Sequence, residues 1–167
     1  MVVRRLREMC ILDCRVTAMD SQPLTPGVDG GRAVTACAVE RGVAALVRLT
    51  DGTVYGCTAP GSAVPARENE HIRREEFAGP HPAGTAGVHI HRFDAVDRGK
   101  LVLHVGYQDV VAMGRLFESG ELSVDRVVAL AGPAQPRPRL VRTRLGAATD
   151  DLLVDDAVAG EPRVVSG

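Results

Sequence analysis

Apolar positions along this chain change their period several times, and each change marks an element. From Cys10 to Ala18 the residues alternate toward Val and Ile, which predicts a strand. Asp20-Ser-Gln-Pro-Leu-Thr-Pro-Gly27 then breaks it as a loop. Across residues 31–50 the apolar positions Val34, Cys37, Ala38, Val43, Ala44, Leu46 and Val47 recur close to every 3.6 residues. This predicts an amphipathic helix ended near Thr50-Asp-Gly52. Thr53 to Cys57 reads as a second strand, so strand, helix and strand form a βαβ unit with a parallel pair. His71 to Phe77 reads as a third strand despite its charges, and Leu101 to Val105 as a fourth by its β-branched content. Val110, Val111, Met113, Gly114 and Phe117 fall on overlapping faces of a helix over Gln108 to Ser119, with Gly120 as its stop. After about Val124 the pattern shifts to short strands at Arg126 to Leu130 and Arg139 to Val141 around a Pro133 to Pro138 turn. A short helix follows near Thr149 to Val154.

Composition limits what this framework can be. A chain of 167 residues fits one domain or one and a half, and buries roughly 70% of its unfolded surface. Aromatics make up 3%, with no Trp, three Phe and two Tyr. The core must therefore come from Val, Leu, Ala and Ile, and small residues will set how closely elements pack. Formal charge is −1 with both signs interspersed, which leaves no electrostatic footprint for nucleic acid or an anionic membrane face. No apolar run approaches the roughly 20 residues that span a bilayer, and Glu8 and Asp13 interrupt the run after Arg4, Arg5 and Arg7. A soluble, cytoplasmic chain is expected, with any membrane role supplied by a partner. Cys10, Cys14, Cys37 and Cys57 are expected as free thiols in a reducing compartment. Cys10 and Cys14 lack the second close pair of a zinc or iron–sulfur site, and on a strand they share one face as small buried groups.

The densest candidate chemistry is Gly79-Pro-His-Pro-Ala-Gly84-Thr-Ala-Gly87-Val-His89-Ile-His91. Its glycines would let a ligand approach the backbone, and a following helix N-terminus would offer free N–H groups to a phosphate or cofactor. The alternative is a strand-to-helix turn whose prolines fix the exit direction. His81, His89 and His91 invite a metal, but on a helix positions 89 and 91 lie about 200° apart and cannot face one ion. Hydrogen bonding at a subunit contact or in a buried polar network is the other role open to them. Tyr107, Gln108 and Asp109 open a helix, where an acidic group suits the dipole and Gln helps cap. Arg139, Arg142 and Arg144 suit a solvated or interface-facing edge strand. No catalytic triad, carboxylate pair or P-loop is present, so no catalytic residue and no metal ligand is assigned.

The Gly79 to His91 segment, Gly106-Tyr-Gln-Asp109, Arg126-Val-Val-Ala-Leu-Ala-Gly-Pro133 and Pro138-Arg-Leu-Val-Arg-Thr-Arg-Leu-Gly146-Ala occur in that order. Together they resemble the A component of the sodium-translocating NADH:quinone oxidoreductases, from about Val16 to Gly167; Met1 to Cys10 do not match. Members of that family are more than twice this length. The resemblance therefore implies a fragment, with Glu161-Pro-Arg-Val-Val-Ser-Gly167 opening a motif that would continue. It implies a Rossmann-like α/β domain over 11–123, with a short helix from Ala83 to about Phe93, and the start of a β-grasp, SLBB-like domain over 124–167. It also implies a peripheral component on the cytoplasmic side of the inner membrane, linked to quinone and docked on the membrane-embedded B component. NADH, flavins and iron–sulfur chemistry would lie on other components, so no cofactor is expected on this chain and no catalysis by it alone. The related flavin subunit of respiratory complex I holds flavin mononucleotide in a comparable domain, but the A components resemble it without keeping that cofactor's full motif, so the resemblance implies no bound flavin. Gly79, His81, Gly84, Gly87, His89, His91, Gln108 and Asp109 are the residues expected near quinone or another ligand. The competing expectation is a free-standing small-ligand or metal-binding α/β protein.

Overall fold

The computed structural model describes residues 11–19, 21, 36–62, 64, 68–93, 95–153 and 163–165. Cys10, most of the loop before Gly27, the first five residues predicted for the long helix, and Val154 lie outside them. So do all but 163–165 of the closing segment.

Strand β1 (Ile11–Ala18) sorts its side chains to two faces. Cys14, Val16 and Ala18 enter an apolar core with Val39, Val43, Leu46, Val54 and Val110. Arg15 and Thr17 turn to the other face. Helix α1 (Ala36–Val47) leads to β2 (Val54–Thr58), β3 (Ile72–Glu76), α2 (Ala86–Phe93), β4 (Leu101–Gly106) and α3 (Tyr107–Ser119). The strands form one parallel sheet in the order β3-β2-β1-β4, the α/β architecture expected from the alternation of patterns. Helices α1 and α3 cover the Cys14 face, and α2 packs on the Arg15 face through Phe93.

Two glycines explain how a core with so few aromatics closes. A Cβ on Gly42 of α1 would run into the Val110 carbonyl of α3, and a Cβ on Gly114 of α3 would run into the Ala38 carbonyl of α1. The helices thus approach backbone to backbone, with an Arg41 to Glu118 ion pair at 2.6 Å on the rim. This contact rotates α1 relative to the expected stripe. Ala38, Val39, Gly42, Val43 and Leu46 are buried, whereas Cys37 and Ala44 face solvent. Phe117, expected on the buried face of α3, is also exposed, because Val110, Ala112 and Gly114 take that face. Gly120 ends α3 as predicted, with φ 76° and its N–H donated to the Leu116 carbonyl at 2.8 Å.

The chain divides into two compact units between Ser123 and Val124. In the second, β5 (Asp125–Leu130) and β6 (Arg139–Arg144) pair antiparallel, and a one-turn helix α4 (Thr149–Leu153) follows. Strand β6 runs three residues past its predicted end. Arg142 and Arg144 are exposed, and Arg142 reaches the Asp125 carboxylate at 2.8 Å.

Candidate functional site

In an open parallel sheet, ligands enter beyond the carboxyl ends of the strands where the strand order reverses. Here β1 leads to β2 on one side while β4 lies on the other, so that point falls between β1 and β4. Their carboxyl ends carry Thr17 and His104, joined by a 2.8 Å hydrogen bond between Thr17 Oγ1 and His104 Nε2. Ser21, just past β1, meets His81 Nδ1 at 3.3 Å and accepts the Gly84 N–H at 2.8 Å. This ties the β3–α2 loop to the end of β1.

That loop is built from consecutive turns. Ala83 and Thr85 donate their N–H groups to the Pro80 and Pro82 carbonyls, each at 2.9 Å, and the Thr85 hydroxyl also donates to Pro82. Gly79 has φ 141°, a conformation that favours glycine, and the His81–Pro82 peptide is cis. The amides of residues 83–85 are therefore all engaged within the chain, which supports the turn reading of this segment more than an open anion cradle. In α3 the N-cap Gly106 makes no side-chain cap bond, and a Cβ there would sit 3.5 Å from the Asp109 carboxylate. An acidic group at this helix start competes with any bound anion.

Beneath this loop, His89 is fully buried, its ring tilted 41° against that of Phe77 with centroids 4.1 Å apart. Its Nε2 lies 2.9 Å from the Ala83 carbonyl and so must be the protonated nitrogen, which leaves Nδ1 as an acceptor. Burial lowers the His89 pKa below the ordinary 6.5, the Ala83 bond opposes that, and His104 adds to the lowering. Partial desolvation likewise lowers the pKa of His104, an otherwise exposed ring, against the pull of Asp109. Both shifts favour the neutral ring.

Arg15 is fully buried on the same sheet face. Its guanidinium lies 3.9 Å over the Tyr55 ring and 5.3 Å from that of Phe93, and Nη2 meets Asp13 Oδ2 at 3.2 Å. Asp13 Oδ1 in turn accepts the Thr53 amide at 3.0 Å. Among the described residues, Arg15 Nε and His89 Nδ1 are buried polar atoms without a hydrogen-bond partner. Cys14, Cys37 and Cys57 are free thiols. Burial pushes Cys14 up to about 12 and Cys57 up to about 11, so neither is poised as a nucleophile.

Of the expected site residues, His81, Gly84, His89 and Asp109 gather near these strand ends, and Gln108 lies beside Asp109 in the first turn of α3. Gly79 sits earlier in the loop. Gly87 has open space where its side chain would be, and His91 is exposed on the other side of α2 from buried His89. Among the described residues, no three His, Cys, Asp or Glu side chains are grouped to hold a metal ion. Thr17, Ser21, His104 and Arg15 were missed. Their sequence signal is slight: Asp13, Arg15 and Thr17 alternate through otherwise apolar β1, and His104 is a lone polar residue in β4.

The set offers hydroxyls, imidazoles and one carboxylate. That chemistry suits the carbonyl or hydroxyl groups of an uncharged ligand better than a phosphate. The fold and the side chains at its strand ends together define a doubly wound α/β protein with a polar switch point.

Residues 12–122 match the family described as the NqrA second alpha/beta domain, and residues 127–167 match the NQRA C-terminal domain. Curated relatives that are the A subunit of a Na(+)-translocating NADH-quinone reductase include those of Yersinia pestis, 47% identical, and of Serratia proteamaculans and Cellvibrio japonicus, each 49% identical. Each alignment spans 152 residues, covering 91% of this chain and 34% of the relative. This chain belongs to the NqrA family, the A subunits of the Na(+)-translocating NADH-quinone reductases, and it spans about a third of the length of those relatives.

Proposed function

We propose that this chain forms the central part of NqrA in a sodium-pumping NADH:quinone reductase. There it supports contact with quinone and docking onto the membrane-embedded B component, as a peripheral element on the cytoplasmic side. It comprises an α/β domain over 11–123 and part of a β-grasp domain over 124–167, with neither redox cofactor nor catalysis of its own. The observation that carries this reading is the consecutive match of two domains of one protein, over 12–122 and 127–167. Among the described residues no helix is long and apolar enough to cross a membrane, which fits attachment through a partner. The hydroxyl and imidazole groups of Thr17, Ser21, His81 and His104 fit a quinone carbonyl, since each hydrogen bond to it would contribute about 0.5–1.5 kcal/mol net.

The test uses NqrA of Yersinia pestis with this chain grafted over the matching 152 residues, assembled with the rest of the complex. In that complex His81→Ala combined with His104→Ala should raise the quinone KM roughly five-fold and leave the NADH KM unchanged. Unchanged values for both would remove quinone from this site. A yellow, flavin-bearing chain, or turnover by the purified chain alone, would contradict the non-catalytic reading.

A further inference from the structure

The two edges of the parallel sheet are finished differently. At β3, the outer edge is closed by the chain that precedes it. Asn69 and Ile72 exchange backbone hydrogen bonds at 3.0 and 3.3 Å, Asn69 Oδ1 accepts the His71 amide at 2.8 Å, and Glu68 Oε1 accepts the Arg74 amide at 3.1 Å. Four consecutive charges, Arg73 to Glu76, further guard that edge. Both devices block unwanted strand pairing.

Among the described residues, β4 has neither. Leu101-Val-Leu-His-Val-Gly106 has no acidic side chain, Lys or Arg, and Leu101 and His104 are exposed. Its hydrogen-bonding directions follow from the register. Cys14 gives its amide to Thr53 on the β2 side, so Arg15 turns its backbone groups to β4. There it is opposite His104 and bonds to the flanking Leu103 and Val105. The amides and carbonyls of Val102 and His104 consequently point outward, and among the described residues no strand pairs with them. Outward backbone groups that no described strand meets, on an uncharged strand, are a template for another strand.

We propose that the outer edge of β4 takes a fifth, uncharged strand from a part of the NqrA polypeptide outside these 167 residues. The relatives are about three times as long as the aligned segment, which is 34% of them, so most of such a polypeptide is available. A covalently attached strand also acts at roughly millimolar effective concentration. The inference needs only membership of the family and goes beyond the quinone reading.

Amide hydrogen exchange at Val102 and His104 tests it, with Leu103 and Val105 as internal controls bonded to β1. The comparison is between the isolated chain and the grafted full-length NqrA of Yersinia pestis, each purified without the rest of the complex. The expected result is that Leu103 and Val105 are slow in both. Val102 and His104 should be fast in the isolated chain and at least 100-fold slower in the full-length protein. Equal rates at Val102 and His104 in the two proteins would overturn the proposal. So would protection in the isolated chain, whether rising with concentration, as a second copy would produce, or independent of it. Protection that needs the rest of the complex would assign the edge to a partner and overturn it as well. Because the complex is not required, failure of the quinone reading would leave this result standing.

Discussion

Buried Arg15 and His89 give the sheet face under α2 a polar interior, which neither periodicity nor composition announces. Arg15 is held by Asp13 and by the Tyr55 and Phe93 rings, so it pins the end of α2 to the strands. A charged residue in β1 reads from sequence as solvent-facing. Only the register that sets Tyr55 beside it, and Phe93 above, makes its burial tolerable. His89 has a lowered pKa because burial disfavours its charged form. The folded state therefore binds fewer protons than the unfolded state just below the ordinary 6.5. Stability present at neutral pH should fall as pH drops through 6.5 toward the lower folded value. His89→Phe, which keeps a ring against Phe77, should give a shallower loss between about pH 7.5 and 5 in urea unfolding. An unchanged pH slope would mean that His89 does not carry this dependence.

Helices α1 and α3 meet through backbone rather than side chains, and that sets a prediction at the level of elements. Gly114→Ala would gain about 1 kcal/mol of helix propensity, but its methyl would overlap the Ala38 carbonyl, which cannot rotate away. Overpacking of this kind costs about 1–3 kcal/mol or more, so net destabilisation in urea unfolding is expected; a gain in stability would refute the close contact. Much of this layer was legible in the chain. The βαβ order with its parallel pair, the positions of four strands and the Gly120 stop followed from periodicity and turn chemistry, while a parallel sheet throughout was implied by the family resemblance. The rotation of α1 was not, because a glycine carries no hydrophobic signal, yet Gly42 marks the centre of the buried stripe. The same limit hid half the site. The Gly, Pro and His cluster at 79–91 stands out through unusual composition, whereas Thr17, Ser21 and His104 are ordinary residues brought together only by strand order.

As a whole molecule, the chain couples a doubly wound α/β unit to a two-stranded ribbon in which β5 and β6 contain no fully buried residue. A hairpin alone is marginal in water, so the second unit is expected to unfold more readily than the first. The four motifs that carried the family resemblance span both units, and the two domain matches fall in the same order. The central claim, that this segment does the work of its counterpart in the sodium pump, is tested most directly by sodium-dependent NADH:quinone turnover in the complex with the grafted Yersinia pestis NqrA. The account predicts an assembled complex that retains sodium-stimulated turnover. An assembled complex that has lost sodium-dependent quinone reduction, or a folded graft that fails to join the rest of the complex, would contradict it.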